Sequence, residues 1–288
     1  MTVGSLIFER PEPVEYEMPG IVKRNHPGSK VFLRYGFGPL PSSQRNKRIF
    51  FFDIDNCLYN KSTQIHDMMQ EKIHEYFKKN LSLSDEEAED LHVHYYQTYG
   101  LALEGLVRNH KVDALKYNAE VDDSLDLGKV LLYNGPLREM LIRIRRSGDF
   151  DFMWLVTNAY KNHSLKVISL LGLGDIFDGL TFCDYTRRPL ICKPMEQYYS
   201  ECFTNLNIDY RNSSVLKNQA YIDDSESNVK AVFRLGLGTV IHLIELDLDF
   251  NAIRKKPDFE HYYGLGDNSD PSKVRIVRNI LDLEKVCK

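Results

Sequence analysis

Short apolar runs alternate with helical segments along most of this chain, and this alternation restricts the fold more than any other feature of the sequence. The first run contains four consecutive apolar residues, IFFF at 49–52, which is the pattern of a strand buried on both faces. Gly148, Gly172 and Gly236 follow helical segments as expected helix stops. Strands are predicted at 49–54, 153–157, 179–183, 219–222 and 239–244, and helices at 136–147, 161–172, 194–206 and 225–235. The alternation predicts an α/β fold with a doubly wound parallel sheet.

One gap between the strands is far longer than the others. About a hundred residues separate the first run from the second, whereas a crossover between parallel strands needs only about a dozen. Most of the surplus has a helical pattern, and Ser84 precedes an acidic first turn as an N-cap does. The sequence therefore predicts a helical cap at 63–135, inserted into a core formed by 48–62 and 136–288. The tail of this core contains a predicted short strand, KVRIV, and a last helix near ILDLEKV.

Residues 1–47 differ in composition from the rest of the chain. They contain six of the eleven prolines and five of the seventeen glycines. Prolines and glycines at this density interrupt regular structure. The segment is predicted to be a flexible N-terminal arm, with Phe8, Phe32, Tyr35 and Phe37 as the side chains that could hold parts of it against the core.

Charge and cysteine content exclude several classes of partner. A formal net charge of -4 gives no electrostatic footprint for nucleic acid, and the basic run at 44–48 is expected to be a solvated approach to the first strand. The five cysteines are odd in number and include no Cys-x-x-Cys, which favours reduced thiols. No run of 18 apolar residues and no leader pattern is present. We expect a cytoplasmic protein, with a nuclear location also open, that does not bind a membrane, and its oligomeric state is not predicted.

Polar side chains follow the predicted strands. Asp53 and Asp55 end the first strand, Thr157 and Asn158 the second, and Asp223 and Asp224 the fourth, with Asn228 one helical turn later; Lys193 precedes a proline at the start of a helix. The carboxyl ends of parallel strands lie at one edge of the sheet, where α/β proteins bind ligands. An Asp-x-Asp pair also occurs as a simple helix or turn cap. However, convergence of Asp53, Asp55 and Asp224 would create a repulsion that a hard divalent ion relieves.

These motifs resemble those of the haloacid dehalogenase superfamily of phosphohydrolases. DIDNC at 53–57, Thr157, Lys193 and DDS at 223–225 match its four motifs in order and at fitting spacing, across residues 48 to 245. Within the superfamily, the phrases FFFDIDNCLY, YYQTYGLALEGL, DALKYNAEVDDSL, TNAYKNH and FDGLTFCDY are similar to the fungal pyrimidine 5'-nucleotidases. One departure is Cys57, where Thr or Val is usual, but a small buried residue still fits there.

The resemblance implies a site chemistry. Asp53 is the expected nucleophile that forms an aspartyl-phosphate, and Asp55 is the expected general acid and base. Mg²⁺ is the expected cofactor, with Asp53, the Asp55 backbone carbonyl and Asp224 as its protein ligands. Phosphate oxygens are expected to contact Thr157, Asn158 and Lys193, while Asp223 and Asn228 support the site. The expected substrates are nucleoside 5'-monophosphates, with UMP and CMP preferred.

Several alternatives stay open at this stage. Another small phosphomonoester, such as a sugar phosphate or lysophosphatidate, could be the substrate, and a phosphosugar mutase would use the same acid. A carbon–halogen hydrolase has no alkoxide to protonate, so Asp55 argues against it, and a non-enzymatic phosphate sensor would be expected to lack one of the acids.

Other polar residues have competing interpretations. The second DDS, at 122–124, follows a helical stretch and is expected to be a helix end or turn. His92 and His94 would point about 200° apart on a helix, which argues against a shared metal. His110 and Lys111 end a predicted helix, where they could contact the substrate or only complement the helix dipole.

Overall fold

The computed structural model describes residues 14–16, 25–264 and 270–287. Its main element is a six-stranded parallel sheet with the strand order β5-β4-β3-β6-β7-β8. The strands of this sheet are β3 (Ile49–Phe52), β4 (Phe152–Val156), β5 (Gly179–Thr181), β6 (Ala220–Asp223), β7 (Thr239–Leu243) and β8 (Arg275–Val277). A second, antiparallel sheet consists of β1 (Val14–Tyr16) and β2 (Val31–Leu33). The predicted α/β fold with a parallel sheet is confirmed, and the two-stranded sheet was not predicted.

Helices cover both faces of the parallel sheet. Between β3 and β4 lie α1 (Ile65–Leu81), α2 (Asp85–Tyr99), α3 (Ala102–His110), α4 (Ala114–Glu120) and α5 (Gly135–Ser147). The later helices are α6 (Lys161–Leu171), α7 (Glu196–Asn205), α8 (Ser213–Leu216), α9 (Glu226–Leu235), α10 (Asp247–Arg254) and α11 (Phe259–Tyr262). Short 3₁₀ helices occur at Ser42–Gln44, Lys61–Thr63, Leu127–Lys129 and Ile280–Lys285. The last of these replaces the α-helix predicted near the end of the chain.

The side chains of β3 show why an uninterrupted apolar run was needed. All four residues are buried. Phe50 and Phe52 pack on one face with the apolar side chains of α5 and α6. Ile49 and Phe51 pack on the other face with those of α7 and α9. Because strand side chains alternate between faces, a central strand covered on both sides must be apolar at every position.

The four helices α1–α4 have a core of their own. Residues such as Phe77, Tyr95 and Leu103 form an apolar cluster that also includes Tyr185 and Cys192 from the loops after β5. Helix α2 begins with a capping box, in which the Glu87 N–H donates to Ser84 Oγ and the Ser84 N–H donates to the Glu87 carboxylate. This reciprocal pair satisfies two N–H groups that the helix itself leaves unpaired. The domain limits of this cap remain a prediction.

Residues 25–47 do not form the flexible arm that the sequence predicts. Val31 and Leu33 are fully buried in the core. The Phe32 N–H donates to the Gly174 carbonyl at 2.7 Å, and the Tyr35 N–H donates to the Asp178 carbonyl at 2.7 Å. Apolar residues and backbone hydrogen bonds therefore outweigh the proline and glycine content of this segment. Phe8 lies outside the described residues.

No helix within 14–16, 25–264 and 270–287 combines the length and the apolar character that crossing a lipid bilayer requires.

Candidate active site

The carboxyl ends of the central strands bring the predicted acidic residues together. Asp53 follows β3, Asp223 ends the neighbouring β6, and Asp224 follows it. The two strands are parallel neighbours, and the Asp53 N–H donates to the Ile222 carbonyl at 3.0 Å. One carboxylate oxygen from each of Asp53, Asp223 and Asp224 lies within 4.8 Å of the other two. The topology of the sheet thus gathers residues that are far apart in the sequence.

Lys193 lies inside this acidic cluster. Its Nζ donates to Asp53 Oδ1 and to Asp223 Oδ2, both at 2.7 Å, and to the Val156 carbonyl at 3.2 Å. The residue is 1% exposed. Burial opposes its charge, but the Asp223 and Asp53 carboxylates outweigh burial and hold the pKa of Lys193 well above its usual range. A permanently charged lysine is therefore held beside the expected nucleophile.

One lysine does not balance the negative charge of the cluster. Burial and the neighbouring Asp223 carboxylate hold the pKa of Asp53 well above its usual range. Burial and Asp223 also raise the pKa of Asp224 to about 7. Carboxylates that are crowded and buried in this way gain stability from a hard cation with oxygen ligands. The donor set therefore fits a divalent ion such as Mg²⁺, with Asp53 and Asp224 as its carboxylate ligands.

Asp223 has a different set of partners from the other two acids. Tyr221 donates its hydroxyl to Asp223 Oδ2 at 2.6 Å, and the Ser225 N–H donates to Oδ1 at 2.8 Å. Asn228 Nδ2 donates to both oxygens, at 3.1 and 3.2 Å. Both Asp223 oxygens are thus engaged by the protein, which suits a supporting role better than a direct metal contact.

Asp55 lies beside the cluster and has two donors of its own. The Tyr59 hydroxyl and His163 Nε2 both contact Asp55 Oδ1 at 2.7 Å. Burial opposes ionisation of Asp55, but the His163 imidazole and the two hydrogen bonds outweigh burial and lower the pKa of Asp55. Asp55 is therefore a carboxylate in the substrate-free site, and Nε2 is the donor in its contact with His163. The sequence analysis did not identify Tyr59 or His163 as site residues.

The side chains that follow β4 are used largely to build the site. The Ala159 N–H donates to Thr157 Oγ1 at 3.0 Å. Asn158 Oδ1 accepts from the Lys193 N–H at 2.7 Å, and Asn158 Nδ2 donates to the Lys193 carbonyl at 2.9 Å and to the Gly100 carbonyl at 3.3 Å. The Asn158 side chain thus fixes the loop that carries Lys193. The phosphate contacts predicted for Thr157 and Asn158 stay predictions.

A cavity of about 790 Å³ extends from the acidic cluster to the helices of the cap. Asp53, Asp55, Thr157 and Lys193 are among the residues that line its core end, and His66, Gln70, His92 and Tyr96 are among those that line its cap end. Asp122, from the second DDS, is also buried in its wall, where burial raises the pKa of Asp122 to about 7. The DDS motif lies in the turn after α4, as expected, yet one of its acids reaches the site.

The structure does not bring His110 and Lys111 to this cavity. His110 ends α3, and its Nε2 contacts the Tyr95 hydroxyl at 2.7 Å. Lys111 is the C-cap residue of the same helix. Neither side chain lines the cavity. Among the cap side chains that do line the cavity, His66 lies in α1 and Tyr96 in α2.

Two further residues near the site come from unexpected places. Lys61 Nζ donates to Asp249 Oδ2 at 2.8 Å and lies 3.9 Å from Asp224 Oδ2. Asp249 belongs to the sequence Asp-Leu-Asp at 247–249, which lies in the first turn of α10. The sequence offers no spacing that would connect Lys61 to these acids.

The fold and the site together indicate a class of enzyme: a hydrolase with a parallel sheet whose strand ends carry Asp53, a buried lysine beside it and an acidic pair. The family model for haloacid dehalogenase-like hydrolases matches residues 47–236, and the chain belongs to this family. It is accordingly a phosphoric monoester hydrolase.

The chain is similar to several individual proteins. The chain is 41% identical over 226 residues to Phosphate metabolism protein 8 of Saccharomyces cerevisiae, across 76% of this chain and 69% of the yeast protein. Among solved structures, a HAD phosphatase from Thermococcus onnurineus matches with a TM-score of 0.47 and 17% identity, over 83% of this chain and 97% of that one. A candidate β-phosphoglucomutase from Thermotoga maritima matches with a TM-score of 0.47 and 17% identity, over 84% and 100% of the two chains.

Proposed function

We propose that this enzyme is a Mg²⁺-dependent 5'-nucleotidase that hydrolyses nucleoside monophosphates, UMP and CMP first, through an aspartyl-phosphate. The observation that carries the proposal is the cavity of about 790 Å³ that joins the Asp53–Lys193 pair to the cap. Its volume lies in the range of about 300–1,000 Å³ that is typical of small-molecule sites. A nucleoside monophosphate can place its phosphate at the core end and its base among the polar and aromatic side chains of the cap.

Asp53 and Lys193 would act on the phosphate. One Asp53 carboxylate oxygen attacks phosphorus, the bond from phosphorus to the ester oxygen breaks, and the phosphoryl group is transferred to Asp53. The Lys193 ammonium lies 2.7 Å from Asp53 Oδ1, where it aligns the nucleophile and attracts the phosphate oxygens. Mg²⁺ held by Asp53 and Asp224, with the Asp55 backbone carbonyl as a predicted third ligand, would supply positive charge against the same oxygens.

Asp55 would move the protons. The negative oxygens of a bound phosphate favour the protonated form of Asp55, because they repel its carboxylate. Asp55 then donates a proton to the departing ester oxygen, so that the nucleoside leaves as an alcohol. In the second step Asp55 removes a proton from a water molecule, which attacks the aspartyl-phosphate and releases inorganic phosphate. Asp53 is free again, and Asp55 has regained the proton that it gave away.

The test compares kcat/KM for substrates whose leaving groups differ in type and size. The panel contains UMP, CMP, AMP, GMP, ribose 5-phosphate, glucose 6-phosphate, lysophosphatidate and a phosphopeptide. We expect UMP and CMP to be hydrolysed best and the purine nucleotides less well by no more than about 100-fold, because one enclosed cavity discriminates only partially between bases. The phosphopeptide should be the poorest substrate, because the cap covers the site.

The Asp53→Asn variant is the matched control for this panel. It removes the nucleophile at constant volume, and turnover of UMP should fall by at least about 10³-fold. If the phosphopeptide or a sugar phosphate equals UMP, the nucleotidase assignment is wrong. Interconversion of sugar phosphates without phosphate release would instead identify a mutase.

A further inference from the structure

His163 is a buried histidine whose side chain makes one hydrogen bond within the described part of the chain. It lies in the first turn of α6 and is 1% exposed. Its Nε2 contacts Asp55 Oδ1 at 2.7 Å, while no described residue makes a hydrogen bond to its Nδ1. Burying an imidazole removes it from water, a cost that hydrogen bonds normally offset. Here the offset within the described chain comes from Asp55, the expected acid and base.

Tyr59 contacts the same oxygen of Asp55. This residue follows the nucleophile loop and is 5% exposed. Its hydroxyl donates to Asp55 Oδ1 at 2.7 Å, so Oδ1 receives two hydrogen bonds. The described part of the chain makes no hydrogen bond to Asp55 Oδ2. Two donors on Oδ1 leave Oδ2 as the oxygen on which a protonated Asp55 carries its hydrogen.

We propose that His163 is a positioning residue, which together with Tyr59 fixes Asp55 so that Oδ2 is the atom that exchanges protons with the substrate. The inference rests on the proposed acid and base role of Asp55. In the first step the proton moves from Asp55 Oδ2 to the ester oxygen, which also takes the electron pair of the breaking bond to phosphorus. In the second step Oδ2 takes a proton from the attacking water. His163 keeps its own proton on Nε2 throughout.

The chemistry of the leaving group separates this role from a purely structural one. Without an acid a nucleoside would have to leave as a basic alkoxide, so it needs a well-placed proton donor, whereas p-nitrophenolate leaves without a proton. The quantity kcat/KM reports the steps up to the departure of the leaving group. A misplaced Asp55 therefore lowers kcat/KM for UMP or ribose 5-phosphate far more than for p-nitrophenyl phosphate. A general loss of structure lowers both equally.

The experiment measures kcat/KM of the full-length protein with Mg²⁺ for UMP, ribose 5-phosphate and p-nitrophenyl phosphate. The variants are His163→Leu, which removes the donor, His163→Gln, which retains an N–H near the position of Nε2, and Tyr59→Phe. Asn162→Ala is the matched control, because Asn162 is an exposed neighbour in the same turn that contacts Asp123 and not Asp55. Circular dichroism and thermal unfolding show which variants are folded.

We expect His163→Leu to lose about 10–100-fold in kcat/KM for the two alkyl phosphates and less than about 3-fold for p-nitrophenyl phosphate, within the range that general acid catalysis supplies. His163→Gln should recover most of the loss, and Tyr59→Phe should show a smaller loss with the same substrate order. Equal losses on all substrates, or full alkyl activity in His163→Leu, would overturn the proposal. If His163→Leu does not fold, Tyr59→Phe and His163→Gln decide by the same ratio.

The substrate set also separates this inference from the nucleotidase assignment. A wild-type enzyme that hydrolyses ribose 5-phosphate and p-nitrophenyl phosphate but not UMP contradicts the assignment. The ratio between these two remaining substrates still tests His163.

Discussion

At the scale of single residues, the balance of buried charge determines what the site can hold. Lys193 is shared between Asp53 and Asp223, whereas the ion pair of Asp224 is with Lys61 at the longer distance of 3.9 Å. Isolated buried charges are costly, and like charges at close range add to that cost. The site therefore carries excess negative charge that a divalent cation would offset.

This charge balance predicts that Mg²⁺ stabilises the protein as well as supporting its activity. Millimolar Mg²⁺ should raise the midpoint of thermal unfolding of the wild type, because an ion that binds only the folded state shifts the unfolding equilibrium. The shift should be lost in Asp224→Asn and retained in Asp126→Asn, a control at a surface carboxylate. Phosphate release should stop in chelator and return when the ion is added. An equal thermal shift in both variants would contradict the proposed ligands.

The limits of sequence prediction at this scale follow from distance along the chain. Asp53, Thr157 and Asp224 could be assigned because a strand end is visible in the local pattern. The contact of His163 with Asp55 spans 108 residues, and no local pattern records it. The same holds for the contact of the Asn158 side chain with the backbone of Lys193, which spans 35 residues.

At the scale of elements, the junction of α2 and α3 joins the cap to the loop that carries Lys193. Gly100 adopts φ +79°, and a Cβ there would lie 2.6 Å from the Lys193 carbonyl oxygen. Glu104 of α3 is fully buried, pairs with Arg108 and accepts from the Leu190 N–H at 2.9 Å. Glycine is required at a turn packed this closely. The cap is thus fixed to the core on this side of the cavity.

Glu104 should therefore matter more than an ordinary ion-paired glutamate. Its replacement in Glu104→Ala leaves the buried Leu190 N–H without an acceptor, and the free energy of unfolding should fall by roughly 2–4 kcal/mol. Glu120 is the matched control, since it pairs with Lys79 and Lys116 at the surface and its loss should cost less than about 1 kcal/mol. Chemical denaturation followed by circular dichroism measures both. Similar losses of unfolding free energy for the two variants would show that the buried contacts of Glu104 stabilise the protein no more than a surface ion pair does.

The sequence predicted the elements better than their contacts. Strand β3 and the capping box of α2 are local patterns, and the structure contains both. The docking of α3 on the loop before Lys193 depends on tertiary packing, which periodicity does not encode. Strand β2 was missed because its three residues lie in a stretch dominated by proline and glycine signals.

At the scale of the whole molecule, the segment at 25–47 is part of the core and not an appendage. Leu33 is fully buried in the same cluster as Phe50 and Leu180. The Leu40 N–H donates to the Asn205 carbonyl at 2.8 Å, and the Leu180 N–H donates to the Gly36 carbonyl at 2.9 Å. The segment thus contacts the ends of elements that are distant in the sequence.

Leu33→Ala distinguishes an integral segment from a flexible arm. Truncation of a fully buried leucine should lower the free energy of unfolding by about 2–5 kcal/mol, through lost apolar burial and the cavity left behind. Ser43→Ala, at an exposed position of the same segment, should change it by less than about 0.5 kcal/mol. Urea denaturation of both variants gives the comparison. If Leu33→Ala leaves the free energy of unfolding unchanged, the segment is a flexible arm and not part of the core.

The order of the strands in the sheet has a consequence for biosynthesis. Strand β3 lies between β4 and β6, and Asp53 is 140 residues from Lys193 along the chain. A ribosome makes the chain from its N-terminus, so the nucleophile leaves the exit tunnel long before its lysine and its acidic partners exist. Local contacts allow the cap helices to pair early, whereas pairing of β3 must wait for distant strands. A chain that terminates before residue 224 therefore contains the nucleophile and the cap but no complete catalytic site.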